Sequence, residues 1–150
     1  MTHETITEGN KLIAEFMGFI PRTDLHTKGA LFMQRPITGD ATHSPCYIVD
    51  KKEDPEDEFN ELQYHKDFSW IMSAVDKIAS MGLHFNIQIN IRSCESWIDW
   101  LGCENEHLDL FRKFYNAKFM PHDEKDKIES VYKTVLQFVN FYNEYKNNNA

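Results

Sequence analysis

Two long segments carry apolar residues at the three- and four-residue spacing of an amphipathic helix. They are LQYHKDFSWIMSAVDKIASMG (Leu62–Gly82) and KIESVYKTVLQFVNFYNEY (Lys127–Tyr145). In the first segment, Asp67 precedes the apolar stripe as an N-cap residue does, so the helix is predicted to begin near Phe68. The second helix is predicted to begin near Asp123–Glu124, because acids suit the positive end of the helix dipole.

Two shorter segments also show helical spacing. Glu8–Met17 is predicted to be a helix, with Thr7 as its N-cap and Gly18 as a left-handed C-terminal cap. Glu104–Tyr115 is predicted to be a short helix. Its apolar side is expected to consist of Leu108, Phe111 and Tyr115.

Between the long helices, apolar and polar residues alternate over Phe85–Arg92, which predicts a strand with one buried face. The predicted buried face holds Phe85, Ile87, Ile89 and Ile91, and the polar face holds Asn86, Gln88, Asn90 and Arg92. Cys94–Trp100 is predicted to be a second strand, joined through a hairpin near Arg92–Ser93 or continuous with the first as one bent strand. Ala30–Met33 and Cys46–Val49 are predicted to be two short paired strands.

These elements predict an α+β fold, in which a small, mainly antiparallel sheet is sandwiched with three to four helices. The chain has 150 residues, of which 41% are hydrophobic, so it can bury its own core. We therefore expect a single domain spanning 1–150, with a frayed tail at 146–150.

The net charge of −8 is concentrated in one segment. Asp50–Glu61 contains seven acids and two lysines, and we interpret it as a solvated loop. Direct binding to nucleic acid is disfavoured, because it requires a basic patch that releases phosphate counterions.

The cysteines indicate a reducing compartment. Cys46, Cys94 and Cys103 are odd in number and form no CxxC pair, which predicts free thiols in a cytoplasmic protein. The polar start of the chain is not typical of a signal peptide, and no apolar run approaches the ~20 residues that a membrane span needs.

Three segments together resemble a known family. NKLIAEFMGF (Asn10–Phe19), YHKDFSWIMSAVDKIASMG (Tyr64–Gly82) and KIESVYKTVLQFVNFYNE (Lys127–Glu144) resemble, in this order, the phage ABA sandwich domain family of small phage and prophage proteins. The resemblance implies a helix–sheet–helix sandwich and a setting in the cytoplasm of a bacterial host cell. It implies no catalytic residue, and a scaffold alone does not specify function. Glu104–His122 is longer and more aromatic than the family pattern.

One chemically mixed cluster lies at a helix N-terminus. His65 and Asp67 there have the chemistry of an acid–base pair, beside an end that attracts anions. The local interpretation is that Asp67 caps the helix while Tyr64 packs as a hydrophobic staple, and it explains the same residues without catalysis. None of the seven histidines forms an HxH, HxxxH or HExxH pair, so neither a metal site nor a cofactor is predicted.

Two groups are candidates for recognition. The first is the polar strand face Asn86–Gln88–Asn90–Arg92, provided that no helix covers it. The second is aromatic, since Trp and Tyr at a surface mark binding hot spots, although core packing is the default. Its candidate members are Trp97, Trp100, Phe111 and Tyr115.

No catalytic motif is present, which favours a non-enzymatic role. The leading hypothesis is a phage accessory protein that binds a host or phage protein, as a defence inhibitor or takeover factor. One alternative is a small-molecule binder or hydrolase, for example one that sequesters or degrades a nucleotide signal, for which His65, His84 and Arg92 are the available candidate pocket residues. Another is a structural homo-oligomer that pairs through the apolar face of Lys127–Tyr145.

Overall fold

A computed structural model confirms the α+β class. It describes residues 1–22, 32–35, 46–49, 61–100 and 107–148. These residues form four α-helices and two three-stranded antiparallel sheets, where the sequence predicted one sheet. The chain divides into two compact units, Met1–Gln63 and Tyr64–Ala150. The single domain over 1–150 stays a prediction, and most of the acidic segment, residues 50–60, lies outside the described residues.

Helix α1, His3–Phe16, begins five residues earlier than predicted. Thr2 is its N-cap, and the Thr2 Oγ1 atom accepts the Thr5 N–H at 3.2 Å, so the prediction of Thr7 as the cap is wrong. Polar residues at the exposed start of the helix hid its first turns from a search for apolar spacing. The predicted end is confirmed, because Gly18 adopts a φ of 90°, where glycine meets no steric penalty.

The first unit also contains a sheet in the order β1–β2–β3. Its strands are β1 (Ile20–Arg22), β2 (Phe32–Gln34) and β3 (Cys46–Ile48). The predicted pairing of the two short apolar segments is confirmed, with Met33 opposite Tyr47. β1 was missed because it has three residues and contains Pro21, which is tolerated only at an edge such as this one.

In the second unit, helix α2 (Phe68–Ser80) begins as predicted. The Asp67 Oδ1 atom accepts the backbone N–H groups of Ser69 at 2.9 Å and of Trp70 at 3.3 Å. A hydrogen bond from the Ser69 side chain at 2.6 Å does most to hold the pKa of Asp67 below its ordinary value. Gly82 follows the helix with a φ of 98°.

Helix α3 spans Leu108–Asn116 and helix α4 spans Lys127–Asn148. The predicted start of α4 at Asp123–Glu124 is wrong, because His122–Glu124 forms strand β6. Asp126 instead precedes the helix, and its Oδ1 atom accepts the N–H of Ile128, the second helical residue, at 3.0 Å. The helix continues through Asn148, past the predicted start of the frayed tail.

The second sheet has the order β4–β5–β6, with β4 at His84–Ile89 and β5 at Cys94–Asp99. The Asn90 N–H donates to the Ser93 carbonyl at 2.8 Å, which confirms a hairpin and excludes one bent strand. β4 therefore ends three residues before the predicted end. Ile89 closes the strand and Ile91 lies in the turn with its side chain fully exposed, so the predicted buried face is wrong at this end.

Helices α2 and α4 cover one face of the β4–β5–β6 sheet. α4 contacts β5, β6 and α2, while α2 also contacts β4. The buried side chains of this unit lie mainly on α2, α3 and α4. The arrangement leaves the two faces of one sheet in different surroundings.

Candidate functional site

The pairing register assigns each strand residue to a face, because neighbouring residues alternate and cross-strand partners share a side. Ser96 faces α4, since its Oγ donates to the Ser130 carbonyl at 2.8 Å and lies 2.6 Å from Thr134 Oγ1. The alternate positions lie on the opposite side, which we call the open face. The open face consists of His84, Asn86, Gln88, Glu95, Trp97, Asp99 and Asp123.

On the helix-covered side, polar groups are paired with α4. The His122 Nε2 atom lies 3.1 Å from Gln137 Oε1, and the Lys133 ammonium lies 2.6 Å from Glu124 Oε1. The hydrogen bond to Glu124 raises the pKa of Lys133 above its ordinary value. This side of the sheet is therefore committed to holding the helix.

On the open face, Asp99 organises two neighbours. Its Oδ2 atom accepts a hydrogen bond from Asn86 Nδ2 at 3.0 Å and another from Trp97 Nε1 at 3.0 Å. Gln88 Nε2 donates to Asn90 Oδ1 at 3.3 Å further along the same strand. The result is an indole held in place on a surface that α2 and α4 do not cover.

The open face is acidic. Its strand positions hold Glu95, Asp99 and Asp123, and none of its seven positions holds Lys or Arg. A negative surface of this kind attracts a positively charged one and accelerates its association.

The predicted polar strand face is only partly one surface. Asn86 and Gln88 lie on the open face, whereas Asn90 and Arg92 belong to the hairpin turn, where Arg92 is exposed. Sequence reasoning missed the role of Asp99. The signal was available, because Glu95, Trp97 and Asp99 alternate along the second predicted strand as the polar residues do along the first.

The four aromatic candidates separate in the structure. Trp97 lies on the open face, while Phe111 is fully buried and belongs to the core. Tyr115 is 66% exposed, so it does not share the buried side of α3 with Phe111, contrary to the sequence prediction. Tyr115 instead contacts Trp100, with ring centroids 6.5 Å apart. The buried side of α3 consists of Leu110, Phe111 and Phe114.

Trp100 and Tyr115 line a cavity of about 380 Å³, which we call the aromatic cavity. Its walls come from β5, α3, the segment after α3, and α4. The Trp100 Nε1 atom is buried and donates to no acceptor among the residues that the structure describes. Lys118, also in the wall, has a φ of 52°.

The cluster before α2 has a structural role. Asp67 caps the helix, and Tyr64 is buried with its ring edge against Trp70 at a centroid distance of 5.1 Å. The capping interpretation is therefore confirmed. His65 is half-buried in the turn that leads into the helix.

The predicted nucleotide pocket is not assembled. His84 begins β4 and Arg92 follows its end, so roughly 20 Å of strand separates them. His65, His84 and Arg92 line neither the aromatic cavity nor the shallower one beside Phe141. The small-molecule alternative itself stays a prediction.

The apolar face of α4 that was proposed for oligomer pairing is already buried inside the protein. Val131, Tyr132, Val135, Phe138 and Val139 of α4 are all fully buried in the protein. Pairing through this face is therefore wrong, while oligomerisation itself stays a prediction.

The described residues also bear on metal binding, membrane spanning and the state of one thiol. Among the described residues, no three His, Cys, Asp or Glu side chains are grouped so that they could hold a metal ion. No helix in the same part of the chain is long and apolar enough to cross a bilayer. Cys94 is a buried free thiol, as the sequence predicted for its oxidation state.

Comparison with known proteins identifies no similar protein. The chain matches no protein-family model, and neither a curated protein nor a solved structure is significantly similar to it. The likeness to the phage ABA sandwich domain family stays a prediction from the sequence.

Proposed function

We propose that this protein acts by binding another protein through the open face, without chemistry of its own. The observation that carries the proposal is the Asn86–Asp99–Trp97 arrangement on a sheet face that α2 and α4 leave free. The sequence likeness to small phage proteins supports a host or phage protein as the partner, in the cytoplasm of an infected bacterium. Defence inhibition or host takeover is the role that fits this setting.

An anchored tryptophan is well suited to recognition. Tryptophan is enriched among the residues that dominate binding energy, because it buries a large area at a small cost in side-chain entropy. The hydrogen bond from Trp97 Nε1 to Asp99 fixes the ring before a partner arrives. Preorganisation of this kind reduces the entropy lost on binding.

The charge of the open face indicates the kind of partner. Three carboxylates without an intervening cation repel acidic surfaces and favour one rich in Lys or Arg. Association with such a partner is expected to slow as salt is added, because exposed charges are screened over about 8 Å at physiological ionic strength.

The proposal is tested by quantitative capture from bacterial lysate with matched variants. Wild-type protein, Trp97→Ala and Asp99→Asn are immobilised in parallel, and the recovered proteins are quantified. Trp97→Ala is expected to weaken binding of a specific partner by about 30-fold or more, as truncation of a hot-spot residue does.

The matched control is Asp76→Asn, which removes one carboxylate from an exposed position on α2. It is expected to recover the same partner as the wild type. Equal recovery by wild type and Trp97→Ala, with circular dichroism showing both folded, would place binding elsewhere on the molecule.

A further inference from the structure

The aromatic cavity has the dimensions of a small-ligand site, and its lining includes Trp97 and Asp99 of the open face. Its volume of about 380 Å³ falls at the lower end of the range of roughly 300–1,000 Å³ for ligand pockets. Trp100 packs against Tyr115, and the Phe114 and Phe119 ring centroids lie 5.0 Å apart. Walls of this kind favour a flat, apolar ring.

Several apolar side chains around the cavity remain exposed. Tyr115 is 66% exposed and Met120 is 76% exposed, although both line the cavity. Phe119, in the same wall, is also exposed. Exposed apolar residues that are contiguous, and not scattered singly, are typical of a binding site.

A donor inside the cavity wall is unsatisfied. Trp100 Nε1 is buried without an acceptor, whereas the Trp97 indole donates to Asp99. Buried polar groups in folded proteins nearly always have a partner, so an exception calls for an explanation. The atom has no accessible surface in this structure, so a ligand acceptor would complete this hydrogen bond only after the Trp100 side chain turns toward the cavity.

Lys118 adds an uncompensated positive charge. It makes no ion pair with any residue that the structure describes. It occupies a left-handed position just after α3, where glycine is usual, so a lysine there carries a cost in backbone strain. Asp99 is the one acid among the described lining residues, and its Oδ2 atom already accepts two hydrogen bonds.

We propose that the aromatic cavity binds a small planar aromatic anion. The ligand ring lies against the aromatic walls and its negative charge is balanced by Lys118, while a turn of the Trp100 side chain brings its N–H to an acceptor atom of the ligand. A charge-assisted hydrogen bond is stronger than a neutral one, so the anion is preferred over a neutral analogue of the same shape. This proposal does not depend on the protein binding that is proposed for the open face.

The test uses 2-naphthoate as the probe, its neutral isostere 2-naphthamide, and the non-aromatic cyclohexanecarboxylate. Nuclear magnetic resonance of the three labelled indole N–H groups reports on Trp70, Trp97 and Trp100 separately. Titration with 2-naphthoate is expected to shift the Trp100 resonance to saturation, with a Kd below about 1 mM, while Trp70 stays unchanged. Both analogues are expected to bind at least about tenfold more weakly.

Variants separate the two polar contacts. Trp100→Phe removes the donor but keeps an aromatic ring, and Lys118→Gln removes the charge from a surface position. Each is expected to weaken 2-naphthoate binding at least about tenfold. Lys125→Gln, which removes an exposed lysine outside the cavity lining, is expected to leave it unchanged.

Three results would overturn the proposal. They are the absence of saturable binding of 2-naphthoate to the wild type, equal affinity for 2-naphthamide, and full affinity in Lys118→Gln. Because Lys118 is exposed, its variant is expected to fold even if Trp100→Phe does not, so the charge contact remains testable.

Discussion

The two faces of the β4–β5–β6 sheet use alternate residues of the same strand for different purposes. On the helix-covered face, Ser96 is fully buried and bonded to α4 through Ser130 and Thr134. On the open face, one residue along, Asp99 accepts hydrogen bonds from Trp97 on its own strand and from Asn86 on the adjacent strand. The first set stabilises the fold, while the second is organised on the other face, where Asn86 and Trp97 are half-buried and Asp99 is exposed.

This difference indicates which face of the sheet holds the candidate functional residues. Folding explains the residues that face α4, because a buried polar group must find a partner inside the protein. Folding does not require an indole fixed by a carboxylate on the uncovered side of a sheet. Substitutions on the helix-covered face are therefore expected to lower stability most. Substitutions on the open face are expected to weaken partner binding most.

The largest effect on stability is expected from the helix-covered side. Phe138→Ala removes a fully buried ring from α4 and should lower the free energy of unfolding by about 3–5 kcal/mol. Gln88→Ala on the open face should change it by less than about 0.5 kcal/mol. Urea unfolding measures both, and similar losses in the two variants would erase the contrast between the faces.

A smaller contrast is expected for polar groups. Ser96→Ala leaves Ser130 and Thr134 short of one partner inside the protein, which should cost about 1–2 kcal/mol. Asn86→Ala removes a hydrogen bond that water can replace, and should cost less than about 0.5 kcal/mol. Chemical denaturation of the two variants side by side checks this order, and a costlier Asn86→Ala contradicts it.

Lys118, in the wall of the aromatic cavity, has a left-handed backbone that is expected to lower the stability of the protein. Lys118→Gly should raise the free energy of unfolding by about 0.5–1 kcal/mol, because relief of the left-handed backbone outweighs the added entropy of the unfolded chain. The control Lys118→Ala removes the same side chain but keeps the strain, so it should give no gain. Equal stabilisation by both would assign the effect to the side chain.

The smallest expected effect is on the pH dependence of stability, and it arises on the helix-covered side of the sheet. The pKa of Lys133 is raised by its hydrogen bond to Glu124, so the stability that this pair contributes is fully present below the ordinary lysine value of 10.5. That contribution is lost as the pH rises through the folded value. Such pairs contribute about 0.2–1 kcal/mol. Glu124→Gln should flatten the alkaline loss in a series of thermal unfolding curves, and an unchanged slope would contradict this.

Strong local signals made part of the fold predictable. Asp67 and Gly82 delimit α2 because a cap and a left-handed glycine act within one turn. The α2 start and the α+β class were therefore predictable from the sequence, whereas the β4–β5 hairpin was one of two alternatives that the sequence left open. β6 was not, because His122–Glu124 is polar and becomes a strand only by pairing with β5.

The candidate site was predicted in composition but not in arrangement. Alternation placed Asn86 and Gln88 on an uncovered face, yet it continued the strand into a turn that actually holds Arg92. The partnership of Asn86 with Asp99 depends on register, which pattern alone does not fix across a loop without a turn signature. The same limit separated Phe111, which is core, from Tyr115, which is exposed.

The central claim is that the open face, and not the helices, contacts the partner. The most direct measurement is indole N–H resonance spectroscopy of the labelled protein with the captured partner added, since the three tryptophans report on α2, the open face and the aromatic cavity. The account predicts that the Trp97 resonance shifts or broadens while that of Trp70 is unchanged. A shift of Trp70 with Trp97 unaffected would contradict it.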